Sequence, residues 1–193
     1  GSTFAFSASA SLLSYYPLQI GNYWEYEDKF VDLMNDTTIL GYFSFSVTGD
    51  SIMPNGKLYQ VLKREKYSDY EIPWFKFAYG NQFYDRIDST TYNVYRYDDL
   101  DLIRRLDELL LDSLKFQEGE MWGFSRWGGI YAGISVDYYQ EIDPEKFYAT
   151  SVKLFYANDI VSQGFTYAVA KGFGFVYGYM RDTTWRHSID LVY

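Results

Sequence analysis

Paired carboxylates are the one catalytic set that this composition permits. Two acids flanking a glycosidic bond can protonate the leaving group and either activate water or attack the sugar. Acids are dense at Glu118 and Glu120 and at Asp98, Asp99 and Asp101. Adjacent acids in turns more commonly serve as solvated charge that keeps a loop or sheet edge soluble. The Asp98–Asp101 cluster offers oxygen ligands to Ca²⁺ but lacks the D-x-[DN]-x-[DN]-G spacing of a helix–loop–helix site, so no metal is assigned.

Other chemistry is excluded more firmly. The chain has no cysteine and one histidine, His187. That removes zinc fingers, thiolate sites, disulfide scaffolds, cysteine nucleophiles and multi-histidine centres together. His187 shares a face with Trp185, Ile189 and Leu191, opposite Arg186, Ser188 and Asp190. On such a face it reads as a core histidine satisfied by a hydrogen bond, with a general base as the alternative. Gly123-Phe124-Ser125-Arg126-Trp127 ends in Trp where a nucleophile elbow needs Gly, and it reads as a strand. Gly172-Phe173-Gly174 with Gly178 mimics a dinucleotide-binding signature, but no helix follows it. It reads as a strand in which missing side chains allow bending or leave room for neighbouring rings. No cofactor and no catalytic residue are expected.

The elements that must position these groups are strands. Two-residue alternation, the mark of a strand with one buried face, dominates from Tyr23 onward. Trp24, Tyr26 and Phe30 share one face, and Ile39, Gly41, Phe43, Phe45 and Val47 follow in the same pattern. Met53-Pro54-Asn55-Gly56-Lys57 carries an Asn-Gly pair suited to a tight hairpin leading into Leu58–Lys63. Further strands are predicted at 74–79, 82–88, 92–97, 121–127, 130–142, 147–156, 165–171, 173–180 and 184–192, with Gly, Asn, Asp and Pro between them. Between Asp98 and Leu111 the period changes. Leu102, Ile103, Leu106, Leu109 and Leu110 form a helical stripe, although Leu109–Leu114 also reads as a buried strand.

The 193 residues suit one domain. No linker or fixed repeat divides them. The expected fold is all-β or nearly so: an antiparallel meander of ten or more strands, curled into a half-barrel or sandwich, with at most one helix near 100–111. A sheet that wide must curl, split or close. Residues 1–15 are read as a tag scar, Gly1-Ser2, and a flexible N-terminus, with 16–193 as the β-rich domain. Ala8-Ser9-Ala10 has the A-x-A form that signal peptidase cuts, so this stretch reads either as a signal-peptide remnant or as an ordinary terminus.

A net charge of -9 sets nucleic acid aside. No apolar run reaches the roughly 20 residues of a membrane span. Aromatic residues make up 22% of the chain, with 22 Tyr, 15 Phe and 5 Trp, so rings fall on both faces of several strands. One face can be core, and the other is available for recognition. Candidate ligand-binding residues are Trp74, Tyr79, Trp122, Trp127, Tyr131 and Tyr138. Such rings stack on sugars or line an apolar cavity; alternatively, Tyr and Phe fill a wide two-layer core.

Tyr16-Pro17-Leu18-Gln19-Ile20-Gly21-Asn22-Tyr23-Trp24-Glu25-Tyr26 resembles the Y-P-L-x-[VI]-G-N-x-W-x-Y opening of secreted β-rich proteins of Bacteroidetes, Ignavibacteria and their relatives. Ile87-Asp88-Ser89-Thr90-Thr91 with Asn93-Val94-Tyr95, then Gly119-Glu120-Met121-Trp122, then Ala170-Lys171-Gly172-Phe173-Gly174, are similar to that family's later landmarks in the same order. The resemblance implies an exported protein, periplasmic, cell-surface or extracellular, and assigns no activity. Independently of it, Pro17 biases Tyr16 toward an extended conformation and Gly21-Asn22 makes a turn before Trp24 and Tyr26 begin a strand. The expected function is a non-catalytic exported binding or structural module whose aromatic side chains recognise a glycan, an apolar small molecule or a surface protein. The alternatives are a carrier of an apolar ligand or lipid in a curved-sheet cavity and a glycan-processing enzyme using paired carboxylates.

Overall fold

The computed structural model describes residues 12–32, 34, 36–66, 81–97, 107–115, 121–125, 131–140, 152–158, 164–181 and 186–192. Twelve strands appear among the described residues: β1 (Tyr23–Val31), β2 (Thr37–Ile52), β3 (Leu58–Lys66), β4 (Gln82–Ile87), β5 (Asn93–Tyr97), β6 (Glu108–Ser113), β7 (Met121–Ser125), β8 (Tyr131–Gln140), β9 (Val152–Asn158), β10 (Gly164–Ala170), β11 (Gly174–Arg181) and β12 (Arg186–Leu191). They form one 12-stranded sheet in the order β6-β5-β4-β3-β2-β1-β12-β11-β10-β9-β8-β7. Two antiparallel meanders thus meet where β1 pairs with β12.

This order forces the sheet to curl. Its two edges, β6 and β7, are consecutive in the chain. The residues between Ser113 and Met121 reach at most about 29 Å at about 3.6 Å per residue. A flat sheet of this many strands, at about 4.8 Å per spacing, would put its edges about 50 Å apart. Curvature brings Asp112 on β6 within 2.5 Å of the Tyr167 hydroxyl on β10. The result is the expected half-barrel meander.

Aromatic side chains fill the concave side. Tyr26 and Phe43 stack at 5.1 Å, and Phe45 meets Phe43 edge-on at 5.7 Å. Phe83 and Phe175 extend the cluster on either side. Offset and edge-on rings satisfy their quadrupoles while burying large areas. Two-residue alternation places Tyr26, Phe43, Phe45, Leu62, Phe83 and Val94 on this one face.

The helix expected near 100–111 is corrected over its second half. Residues 98–106 lie outside those described, and Glu108–Ser113 is the edge strand β6, paired with β5. Its leucines follow the strand alternative: Leu109 and Leu111 are buried, and Leu110 packs against the same core. Pairing with β5 satisfies the backbone, and that pairing outweighs a helical stripe that short apolar runs mimic. A register shift between Val94 and Tyr95 sets an extra residue in β6. Such a bulge changes which side chains face inward, and Asp112 lies in the interior.

The folded unit also begins before residue 16. Leu12 and Leu13 are helical, and their carbonyls accept from Tyr15 and Tyr16 N–H at 3.1 and 3.2 Å. Tyr15 is only 6% exposed and belongs to the core. The Asn-Gly hairpin forms as expected: Met53 and Lys57 are bonded at 3.0 Å, and Gly56 adopts a φ of 77°. The strand expected at 74–79 lies outside the described residues.

Candidate functional site

The opening motif and the late glycine motif meet in space. Residues 12–22 form a strap that precedes β1 and lies across the concave side of the sheet. Gln19 and Asn22 close a turn at 3.0 Å, with Gly21 at a φ of 94°. Positive φ at this turn position suits glycine. Beyond it, Gly21 N–H donates to Val47 O and Val47 N–H to Asn22 O, both at 2.9 Å, so the strap joins the sheet.

The strap and the start of β1 are together held against the β10–β11 turn and the start of β11. Gly172 N–H donates to Ser14 O at 2.7 Å. The Trp24 indole donates to Phe173 O at 2.6 Å, and the Tyr26 hydroxyl to Phe175 O at 3.0 Å. The Pro17 ring sits against Gly174, where a Cβ would lie 3.2 Å from Pro17 Cδ. The glycines of Gly172-Phe173-Gly174 therefore permit positive φ, 86° and 79°, and close approach of a ring. Their role here is structural, as the strand reading anticipated.

Beneath the strap lies a buried polar network. Asp85 accepts a forked pair from Arg96, Nε at 2.7 Å and Nη2 at 2.8 Å, and a third bond from the Tyr16 hydroxyl at 3.0 Å. Asp112 accepts from Tyr167. Both carboxylates are fully buried. Burial, and then the neighbouring Asp85, push the Tyr16 phenol well above its usual value; burial and Asp112 do the same to Tyr167. Both phenols therefore remain protonated donors. A cavity of about 40 Å³ remains between Pro17, Leu18, Trp24, Phe45, Phe175 and Arg96. A pocket for a drug-sized ligand is roughly 300–1,000 Å³; this one has room for water.

The opposite face of β3–β6 carries a second cluster. Residues of the alternate parity, Tyr84, Arg86, Tyr95, Tyr97 and Glu108, lie on this face together with Tyr59, which is itself fully buried. Glu108 accepts from Arg86 Nε and the Tyr59 hydroxyl, both at 2.5 Å, from Arg86 Nη2 at 3.0 Å, and from Lys57. Burial alone would raise the Glu108 carboxyl, but these donors outweigh it and hold it at about 2. Arg86 also lies 4.7 Å from the Tyr95 ring, opposite which it pairs. Gln82 and Asn93 donate their side-chain amides to the Tyr84 and Tyr95 hydroxyls at 2.5 and 3.1 Å. Tyr84 and Tyr95 are partly buried.

Next to this face, Asp88 builds the β4–β5 turn. Its carboxylate accepts from Thr90 and Thr91 N–H at 3.0 and 2.9 Å, which holds it at about 2. The Ile87–Thr91 landmark is thus a turn device.

Of the residues expected to bind ligand, Trp74, Tyr79 and Trp127 lie outside the described residues. Trp122 stands in β7 opposite Ile134, and Tyr131 and Tyr138 in β8 opposite Ser125 and Leu154. Glu118, Glu120, Asp98, Asp99 and Asp101 also lie outside. His187 stands in β12 opposite Phe30 and Met180, and Ser125 ends strand β7. Sequence reasoning missed Tyr84, Tyr95 and their amide partners. The i, i+2 spacing of Gln82 with Tyr84 and of Asn93 with Tyr95 was the available signal.

No helix among the described residues is long and apolar enough to cross a membrane. No family model matches the chain, and no curated protein matches it. Among solved structures it is similar to one from Bacteroides fragilis NCTC 9343 called a "putative exported protein with YmcC-like fold", with a TM-score of 0.51 at 10% identity, covering 91% of this chain and 96% of that one. A second, a "putative lipoprotein" from Parabacteroides distasonis ATCC 8503, gives a TM-score of 0.40 at 9% identity over 92% of this chain and 96% of that one. The chain shares the YmcC-like fold of the Bacteroides protein.

Proposed function

We propose that this protein is an exported, non-catalytic recognition module that binds through the tyrosine-bearing outer face of β4 and β5, with glycans as the partner this face suits best. The observation that carries the reading is the pairing of the partly buried Tyr84 and Tyr95 with Gln82 and Asn93 on that face. Aromatic rings stack on the apolar faces of sugars, while amides and hydroxyls bond their hydroxyl groups. Asp85, Asp112 and Glu108 are each engaged by intramolecular donors, which supports a non-catalytic role. Export is supported by the resemblance of the Tyr16–Tyr26 motif to secreted proteins and by the name of the Bacteroides protein with this fold.

An array of neutral oligosaccharides tests the reading. Wild type should bind a subset, and Tyr84→Ala and Tyr95→Ala should each weaken that binding about tenfold, which corresponds to about 1.4 kcal/mol. Undiminished binding by both variants would overturn the outer-face site. Native mass spectrometry of protein from its own host separates the carrier alternative, since a co-purifying lipid would favour it.

A further inference from the structure

Resting on the glycan reading of the outer face, we propose that this site selects N-acetylated amino sugars, each tyrosine–amide unit taking one acetamido group. Gln82 with Tyr84 and Asn93 with Tyr95 repeat the same unit, an amide and a phenol two residues apart on one face of neighbouring strands. In each unit the amide N–H donates to the phenol oxygen, at 2.5 and 3.1 Å. The phenol therefore keeps its O–H to donate, and the amide keeps its carbonyl to accept. A donor beside an acceptor complements a secondary amide, whose C=O accepts and whose N–H donates. A sugar hydroxyl carries both functions on a single oxygen. The acetamido group spreads them over two atoms and adds a methyl for the tyrosine ring.

The strand pairing sets the two units in a fixed relation. Tyr95 stands opposite Arg86 and Arg96 opposite Asp85, so Tyr84 and Tyr95 are diagonal neighbours with Cβ atoms about 7–8 Å apart. Gln82 and Asn93 lie at the two outer ends, and the units are related by the local two-fold axis of the antiparallel pair. Successive sugars of a β-1,4-linked chain are turned by about half a revolution, so their acetamido groups alternate in the same sense. The neighbouring charges are closed on one another: Arg86 pairs with Glu108 and Asp88, and Lys57 with Glu108. The groups that define each unit are neutral, as an acetamido group is.

Chitotetraose and cellotetraose share the β-1,4 backbone and differ in the acetamido group, so titration calorimetry of the full chain against both isolates that group. Chitotetraose should bind about tenfold more tightly or better, the worth of one or two hydrogen bonds per unit. Tyr95→Phe keeps the ring and removes the O–H, and it should shrink this preference severalfold while leaving cellotetraose affinity nearly unchanged. Should that variant lose its native circular dichroism, Tyr84→Phe makes the same test on the equivalent unit. Equal affinity of wild type for the two ligands, or a preference that both folded variants keep in full, overturns the acetamido assignment and leaves the glycan reading standing. If neither tetraose binds, the oligosaccharide array decides. Binding confined to N-acetylated glycans of another linkage supports the assignment, binding of glycans without acetamido groups overturns it alone, and a blank array overturns it together with the glycan reading.

Discussion

Tyr167 on β10 donates its hydroxyl to Asp112 on β6 at 2.5 Å, joining strands from opposite halves of the sheet. Both residues are fully buried. This bond crosses the concave interior, and it links the two meanders at a point far from their shared β1–β12 ladder.

Removing the donor should therefore destabilise the curl. Tyr167→Phe leaves a buried carboxylate short of a partner and should lower unfolding free energy by about 2–3 kcal/mol. Combining it with Asp112→Asn should lose less than the sum of the two single changes, because contacting residues couple. Urea denaturation of the four proteins measures both quantities.

The Arg96–Asp85 pair should show the asymmetry of buried ion pairs. Arg96→Met strands Asp85 in the interior and should cost about 3–5 kcal/mol, whereas Arg96→Met with Asp85→Leu should recover much of it. A double variant no more stable than Arg96→Met would show that Tyr16 and the surrounding core, rather than the charge, set the penalty.

Two glycines with nearly equal φ separate backbone strain from packing. Gly56, at 77°, has open space at its Cβ position, while Gly174, at 79°, faces Pro17 at 3.2 Å. Gly56→Ala should destabilise by about 1 kcal/mol through positive φ alone. Gly174→Ala should exceed it by at least about 1 kcal/mol, because the strap must also shift. Hydrogen exchange should then rise at residues 14–18 in Gly174→Ala but not in Gly56→Ala.

Acid stability should depend on Glu108. Its folded carboxyl sits at about 2 against an ordinary 4.5. A depressed carboxyl contributes stability that is fully present above about pH 5 and is lost as pH falls toward 2. The contribution is on the order of 2–3 kcal/mol. Asp88, also held at about 2, acts in the same direction and window. Glu108→Gln should be less stable than wild type at pH 7, and the difference should shrink between pH 5 and pH 2 in thermal unfolding followed by circular dichroism.

The half-barrel was legible from the chain because alternation is a local property. Tyr26, Phe43, Phe45 and Phe83 declare their faces within a few residues of sequence, and the Asn55-Gly56 and Asp88-Ser89-Thr90-Thr91 turns announce themselves by side chains that bond the adjacent backbone. The stretch ending at Leu111 was less legible, since periodicity does not separate a buried edge strand from one turn of helix, and pairing with β5 supplied the difference.

The chain alone therefore determined composition-level exclusions, strand faces and turn positions such as Asn55-Gly56, all of which depend on neighbours within a few residues. Tertiary structure decided which distant residues share a site. That Pro17 would seat on Gly174, that Asp85 would take both Arg96 and Tyr16, and that Glu108 would gather Lys57, Tyr59 and Arg86 depends on sheet order and curvature. The Asp85–Arg96 and Glu108 clusters come from pairing within β3–β6, while the meeting of Pro17 with Gly174 needs the two ends of the fold brought together, which local periodicity does not encode.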